Sequence, residues 1–259
     1  MVNGAIFLEN FWSNFNFYGF FIGLAVVISW WAMELGLRRF KLQITNFSLL
    51  TTIFLLGALS GARLWHVFTS WQNYQNHLIE VLKLWHGGLS IWGGLWGGLI
   101  FLLAYFLLAR RANFANFWLF LDTLVFGLPL GQAVGRLGNW FNQELYGLPS
   151  DLPWAIFIEP KNRLPGFEQV EYYQPLFFYE SLGLLLFALV FWHAKKPLMG
   201  QGKQFFLYLS YYTFLRFFLE FLRLDKPMLA NFDLLSLNQI LSVSFWLIFL
   251  ISFKIYQHR

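Results

Sequence analysis

Two short segments of the chain place arginine, carboxylate and amide side chains in apolar surroundings. The first covers residues 135–147, GRLGNWFNQELYG, and includes Arg136, Asn139, Asn142 and Glu144. It follows directly on an apolar run at residues 117–134. Polar groups at membrane depth are costly unless something binds them. The segment therefore predicts a binding site for a polar ligand.

The second segment, residues 211–223, reads YYTFLRFFLEFLR. The i, i+4, i+7 spacing puts Arg216, Glu220 and Arg223 on one stripe of a helix. Two arginines and one glutamate leave a positive charge that an anion would balance. Because guanidinium groups bind phosphate oxygens in pairs, the stripe predicts a phosphate site.

Composition indicates the class of protein that carries these segments. The chain has 259 residues, of which 58% are hydrophobic and 12% are charged, and its mean hydropathy is +0.53. This balance is typical of an integral membrane protein. Because there is no cysteine, a disulfide framework and a cysteine nucleophile are excluded, and any thiol must come from a substrate. No cluster of metal ligands is visible, so we expect neither a metal nor another cofactor.

The elements that must position the segments are apolar helices. A bilayer is spanned by roughly 20 apolar residues, and seven runs qualify, at about 17–35, 47–67, 89–109, 117–137, 175–193, 205–223 and 234–254. The predicted fold class is an all-α integral membrane protein with seven transmembrane helices. We expect residues 1–259 to form a single polytopic membrane domain.

Between the fourth and fifth helices lies an external insertion at about 148–174. Its β-prone runs at 154–158 and 170–173 surround Pro165 and Gly166, a pattern that predicts a small β-hairpin.

The distribution of Lys and Arg predicts the orientation. Ten lie in the loops after helices 1, 3 and 5 or at the C-terminus, and four lie in the opposite loops. By the positive-inside rule the C-terminus is cytoplasmic and the N-terminus external. The net charge of +5 is then a sign of topology, and no nucleic-acid partner is expected.

The other four basic residues are arginines in or at the edge of predicted helices: Arg63, Arg136, Arg216 and Arg223. For any one of these arginines, snorkelling to the membrane surface or pairing with a glutamate would explain how the charge is tolerated in an apolar helix. The predicted topology puts all of them in the outer halves of helices 2, 4 and 6. We therefore expect them to form one site near the outer leaflet, where a phospholipid phosphate is the obvious anion.

Further candidates lie at the external ends of other helices. Tyr18 is an aromatic-belt residue or a site residue. Arg63 and His66, three apart, share a helix face from which both could reach the site, but the favoured interpretation of His66 is an interfacial histidine without a role. The bare backbone of Gly87 and Gly88 can approach a lipid headgroup. Gly93, Gly94, Gly97 and Gly98 form small-xxx-small patterns that predict close helix packing.

Taken together, the motifs resemble the prolipoprotein diacylglyceryl transferase family. They are Tyr18-Gly19, Gly61-Ala-Arg63, Gly87-Gly-Leu-Ser, the signature at 135–147, Tyr179-Glu180, the stripe from Arg216 to Arg223, and Leu237-Asn-Gln239. The resemblance implies a multi-pass enzyme of the bacterial inner membrane. It implies transfer of the diacylglyceryl group of phosphatidylglycerol to the lipobox cysteine of a prolipoprotein, with release of glycerol phosphate.

The resemblance also implies roles for individual residues. The implied catalytic residues are Arg136, Arg216, Glu144 and Tyr18. The implied substrate-binding residues are Asn139, Asn142, Gly147, Arg63, Glu220, Arg223, Gly87, Gly88, Tyr179 and Glu180. In the mechanism that we infer, Arg136 and Arg216 hold the lipid phosphate, while Asn139 and Glu144 orient the headgroup.

One position departs from the family pattern GG-L-S-x-H-G-G, because Trp92 stands where the family has histidine. An indole can only donate, so Trp92 cannot accept a proton. Three interpretations follow: the substrate thiol needs no histidine base, or His66 or His86 supplies one, or the chain is a non-catalytic paralogue that binds lipid or lipobox. A lipid transporter is a further alternative, but it would need polar groups in both leaflets, and the inner half offers little beyond Asp122.

Overall fold

The computed structural model describes residues 16–84, 87–108, 115–193, 199–224, 226, 228–229, 232–236, 238–240 and 242–247. Its contacts divide the chain into two compact units. Unit 1 comprises Met1–Arg38, Leu124–Pro197 and Gln204–Arg259, and unit 2 comprises Arg39–Thr123 and Leu198–Lys203.

Long helices dominate the described residues, as the apolar runs predicted. They are α1 (Phe17–Arg39), α2 (Phe47–Thr69), α3 (Ile91–Leu108), α4 (Ala115–Asn142), α5 (Leu176–His193) and α6 (Lys203–Leu219). Single turns occur at Trp71–Tyr74, Leu78–Leu82, Pro160–Asn162 and Glu220–Leu222. Four short strands complete the structure: β1 (Ile156–Phe157), β2 (Tyr172–Tyr173), β3 (Met228–Leu229) and β4 (Phe232–Ser236).

Five helices of the described part are long and apolar enough to cross a membrane: α1, α2, α4, α5, and α6 extended to Leu222. A sixth apolar helix, Trp92–Leu108 within α3, is shorter. Of the seventh predicted helix, at about 234–254, residues 238–240 and 242–247 are helical, and residues 237, 241 and 248–254 lie outside the described residues. The count of seven and the orientation therefore stay predictions.

Two predicted helix boundaries were wrong. Helix α4 continues to Asn142 instead of ending at about 137, and a hydrogen bond from Arg136 to Asn139 joins two side chains of its polar last turns. The predicted end of the sixth helix, at about 223, agrees with the structure, because a 3-10 turn at Glu220–Leu222 continues α6 to Leu222. Residues 232–236, which overlap the predicted start of the seventh helix, form β4 and pair with β3.

Glycines bring α2 and α3 of unit 2 into backbone contact. A Cβ on Gly57 would lie 2.6 Å from the Gly97 carbonyl oxygen, and a Cβ on Gly61 or Gly93 would collide with the carbonyl of the other. Small residues of this kind let membrane helices approach closely. The predicted packing role of Gly93 and Gly97 is confirmed.

The insertion in unit 1 contains the predicted hairpin, with strands of only two residues each. Ile156 pairs with Tyr173 and Phe157 with Tyr172, antiparallel. A small core of Tyr146, Ile158 and Tyr173 lies beneath it. The Tyr173 hydroxyl lies 2.9 Å from the carbonyl oxygen of Phe167, and burial raises the pKa of this phenol. The insertion is therefore a folded element with its own core.

Candidate functional site

Five charged side chains of unit 1 form an unbroken series of alternating ion pairs. Arg136 Nη2 lies 2.6 Å from Glu180 Oε1, and Arg216 Nη1 lies 3.0 Å from Glu180 Oε2. Arg216 Nη2 then lies 3.3 Å from Glu220 Oε2, and Arg223 Nη1 lies 3.7 Å from the same oxygen. We call these five residues the ionic series.

Different elements supply the members of the ionic series. Arg136 lies on α4, Glu180 on α5 and Arg216 on α6, and Glu220 begins the following 3-10 turn. Ser181, next to Glu180, donates to the carbonyl oxygen of Ala133 at 3.0 Å and so joins α5 to α4 three residues before Arg136. Three helices thus converge at this point of unit 1.

The carboxylates are more deeply buried than the guanidinium groups. The side chains of Glu180 and Glu220 are 2% and 0% exposed, while those of Arg136, Arg216 and Arg223 are 15–17% exposed. Three cations against two anions leave one positive charge in the series. The arginine edges can therefore accept an anion from the exposed side, where charge-assisted hydrogen bonds are strong.

The stripe predicted on α6 differs from the structure in two respects. The prediction included one carboxylate, Glu220, whereas Glu180 of α5 is a second counter-ion for Arg216. Arg223 lies beyond the helix in extended backbone, with ψ of 136°. It faces Gly147 in an isolated antiparallel bridge. The surplus charge is therefore shared by residues of several elements.

Amide side chains extend the network from Arg136 to Glu144. Arg136 Nη1 donates to Asn139 Oδ1 at 3.1 Å, and Asn139 Nδ2 donates to Glu144 Oε1 at 2.8 Å. Asn142 Nδ2 lies 3.5 Å from the same carboxylate oxygen. Tyr18 lies against this turn, since a Cβ on Gly138 would come within 3.0 Å of its ring.

Gly147 lies where the insertion meets the end of α6. Its N–H donates to the carbonyl oxygen of Gln174 at 2.8 Å, and the N–H of Leu148 donates to the carbonyl oxygen of Leu222 at 2.9 Å. A Cβ on Gly147 would lie 2.9 Å from the Leu222 carbonyl oxygen, so any side chain here would push the two segments apart. On α5, the Tyr179 hydroxyl accepts a 2.7 Å hydrogen bond from Trp154 of the insertion.

Arg63 of unit 2 belongs to a different network, made of backbone carbonyls. Its guanidinium donates five hydrogen bonds, to the carbonyl oxygens of residues 80, 81, 83, 87 and 88. These five bonds match the five N–H donors of a guanidinium. Arg63 thereby holds the loop before α3, and its predicted contact with a substrate stays a prediction.

Gly87 and Gly88 both adopt left-handed backbone, with φ of 81° and 73°. A Cβ on Gly88 would lie 2.6 Å from the imidazole of His66, which also meets the Tyr74 ring edge-on at 5.9 Å. His66 is thus packed against the loop that Arg63 holds.

His86 lies outside the described residues. Trp92, in the first turn of α3, is 51% exposed.

The predicted site residues did not include three polar partners of the ionic series, one of which, Asn238, lies within the family motif at 237–239. Tyr212 donates to Glu180 Oε1 at 3.2 Å, and Ser236 and Asn238 donate to Glu220 Oε1 at 3.1 and 2.9 Å. Tyr212 had a detectable signal, because it lies one turn before Arg216 on the same stripe. Ser236 had none, because a serine that follows an apolar run is an ordinary helix or strand residue.

The apolar helices and the buried ionic series define a multi-pass membrane protein with an arginine-rich internal site. Comparison with known proteins identifies the family. The family model described as prolipoprotein diacylglyceryl transferase matches residues 6–255. The chain belongs to this family of transferases.

Individual relatives of the chain have names that agree with this family. The chain is 34% identical over 229 residues to the phosphatidylglycerol–prolipoprotein diacylglyceryl transferase of Thermosynechococcus vestitus, covering 88% of this chain and 84% of that protein. It is 37% identical over 179 residues to the same-named protein of Fervidobacterium nodosum, covering 69% of this chain and 60% of that one. For the same-named protein of Frankia alni the identity is 44% over 170 residues, covering 64% of this chain and 43% of that protein.

Proposed function

We propose that the chain transfers the diacylglyceryl group of phosphatidylglycerol to the cysteine thiol in the lipobox of prolipoproteins. The thiolate sulfur forms a bond to the glyceryl carbon that carries the phosphate ester. The carbon–oxygen bond to that phosphate breaks, and glycerol phosphate leaves with the electron pair. The thiol proton passes to solvent or to a base. Family membership over nearly the whole chain and the names of the relatives support this reaction.

The observation that carries the site assignment is the convergence of Arg136 and Arg216 on the two oxygens of Glu180. Two guanidinium groups that can reach both oxygens of one carboxylate can also reach two oxygens of a phosphate. In the proposed mechanism they hold the lipid phosphate and stabilise the charge that grows on it as it leaves, which is a preorganised electrostatic role. Glu220 positions Arg216, and Arg223 adds to the positive charge.

Asn139, Asn142 and Glu144 orient the glycerol headgroup in this proposal. The hydrogen bonds from Asn139 and Asn142 to Glu144 hold the carboxylate in position, and Asn139 links it to Arg136. Tyr18 lies against the same turn, and we count it among the catalytic residues.

The remaining assignments are to substrate binding. Gly147 allows the insertion to meet the end of α6, and Tyr179 ties the insertion to α5. Gly87 and Gly88 supply bare backbone that a headgroup can approach. Arg63 keeps those two glycines in place.

The proposal needs no histidine at position 92. A cysteine thiol with a pKa of about 8.5 is already a few per cent thiolate at neutral pH, and neighbouring arginines raise that fraction. His66 and His86 are the alternative bases. Because Trp92 can only donate a hydrogen bond, it takes no proton in the reaction.

We further propose the finer topology: seven transmembrane helices in a single polytopic domain, with the N-terminus external and the C-terminus cytoplasmic. The membrane is the bacterial cytoplasmic (inner) membrane. The insertion then lies on the external side, over the outer-leaflet phosphates and the exported lipobox. The excess of Lys and Arg in the opposite loops supports this orientation.

The test is a transfer assay with purified protein, labelled phosphatidylglycerol and a lipobox peptide. We expect thioether-linked lipid on the cysteine for the unaltered protein, and a loss of at least about a hundredfold in Arg136→Ala and Arg216→Ala, as for removal of a preorganised charge donor. The matched control is Arg38→Ala, because the Arg38 side chain is 73% exposed and pairs with Glu34. Full activity of either Arg136→Ala or Arg216→Ala would overturn the assignment of these two arginines to the lipid phosphate.

A further inference from the structure

The short segment that carries Glu144 is held by the insertion. Gln143, directly before Glu144, accepts two hydrogen bonds through its side-chain Oε1. The donors are the backbone N–H of Glu159, at 2.8 Å, and the Nδ2 of Asn162, at 3.0 Å. Both donors belong to the insertion, in or next to its 3-10 turn at Pro160–Asn162.

Asn162 also binds the chain on the other side of Glu144. Its carbonyl oxygen accepts from the Tyr146 hydroxyl at 2.9 Å, and the same hydroxyl accepts from the N–H of Leu164 at 2.9 Å. Tyr146 is 4% exposed. One residue of the insertion therefore holds Gln143 with its side chain and Tyr146 with its backbone.

The backbone of the held segment is strained. Gln143 and Leu145 have φ of 51° and 56°, in the left-handed region that favours glycine. Such conformations persist only where the surroundings fix them. The two strained residues flank Glu144, whose N–H donates to the Asn139 carbonyl at 3.0 Å. The contacts of the insertion with this segment are made by Gln143 and Tyr146, one on each side of Glu144.

We propose that Asn162 and Gln143 are positioning residues, through which the insertion holds Glu144 in the geometry that the transfer reaction uses. This inference rests on the proposed function, in which Glu144 orients the lipid headgroup. The insertion then has a role beyond covering the site, because its folded core fixes the position of the Glu144 carboxylate.

The primary test compares two alanine variants of the same 3-10 turn. Asn162→Ala removes the side-chain donor to Gln143. Lys161→Ala is the matched control, because the Lys161 side chain is 75% exposed and pairs with Glu159 at the surface. We expect kcat/KM for phosphatidylglycerol to fall about tenfold in Asn162→Ala, as for the loss of one partly buried hydrogen bond, and to stay within about twofold in Lys161→Ala. Equal activity of the two variants would overturn the inference.

A double-mutant cycle separates positioning from general stability. If Asn162 acts through Glu144, Asn162→Ala causes no further loss when Glu144 is already Gln. A full, independent loss in the Glu144→Gln background would overturn the inference while leaving the proposed function intact. Full activity of Glu144→Gln alone would instead overturn the assigned role of Glu144, and the inference with it.

A second pair of variants keeps the test available if Asn162→Ala does not fold. Gln143→Glu retains oxygens that accept both hydrogen bonds, and Gln143→Leu removes them at similar size. We expect Gln143→Glu to retain most of the transfer rate and Gln143→Leu to lose about tenfold. Equal rates would count against a positioning role.

Discussion

Arg136 and Arg216, which lie on different helices, donate to opposite oxygens of the same carboxylate, that of Glu180. A carboxylate that is 2% exposed would be costly to bury without such partners. The two ion pairs also keep like-charged guanidinium groups close together. Glu180 is therefore the residue on which the shape of the ionic series depends.

Replacing Glu180 should destabilise the protein strongly. Glu180→Gln keeps the shape of the side chain and removes its charge, which leaves Arg136 and Arg216 without their shared counter-ion. Removing one partner of a buried pair costs about 3–5 kcal/mol. We expect a clear drop in Tm in detergent or nanodiscs and a lower transfer rate.

The control is Glu34→Gln, because Glu34 pairs with Arg38, whose side chain is 73% exposed. An exposed pair contributes about 0–1 kcal/mol. The interpretation of Glu180 fails if both variants have the same Tm.

Two adjacent glycines of α3 should respond differently to alanine. A Cβ on Gly93 would collide with the Gly61 carbonyl and with Trp65, whereas a Cβ on Gly94 meets nothing nearer than 3.5 Å. We expect Gly93→Ala to lower the Tm, with overpacking of about 1–3 kcal/mol. Gly94→Ala should be neutral or slightly stabilising, since alanine is the better helix former. Thermal unfolding of the pair checks this, and a reversed order would contradict the packing of α2 against α3.

Arg63 should not tolerate lysine. Its guanidinium satisfies five carbonyl oxygens around residues 80–88, and an ammonium group has only three donors. Each carbonyl left without a partner in a buried position costs about 1–3 kcal/mol. Arg63→Lys should therefore lower the Tm and increase proteolysis at the loop before α3, while the exposed Arg38→Lys should do neither. Unchanged proteolysis in Arg63→Lys would show that the loop does not depend on the guanidinium.

The pH dependence of transfer distinguishes the possible bases. If no histidine is needed, the rate follows the substrate thiolate, so it rises with pH up to a thiol pKa of about 8.5 or somewhat below. Trp92→Phe should leave this profile unchanged. An inflection near pH 6.5 that disappears in His66→Ala or His86→Ala would instead identify a histidine base.

Much of the helical architecture could be predicted because apolar length is a local property of the sequence. The arginine stripe on α6 was visible for the same reason, since i, i+4 spacing is local. The start of the seventh predicted helix was wrong. Residues 232–236 are apolar enough to form either a helix or a strand, and they form a strand because they pair with Met228–Leu229.

The partners of the charged residues could not be predicted, because they come from distant parts of the chain. Glu180 was a candidate on its own helix, but nothing local shows that it joins Arg136 to Arg216. The partners of Arg63 are backbone carbonyls, which every residue has and no sequence pattern marks. The left-handed backbone of Gln143 was equally hidden, since it is set by contacts with Glu159 and Asn162.

The most direct test of the central claim is the stoichiometry of a single transfer reaction. Purified protein with Trp92 in place is given phosphatidylglycerol labelled in its headgroup and a lipobox peptide, and peptide mass and released glycerol phosphate are measured together. We expect one diacylglyceryl group to be added to the cysteine for each glycerol phosphate released, and none to be added to a Cys→Ser peptide. Transfer by Trp92→His, together with no transfer by the unaltered protein, would contradict the central claim.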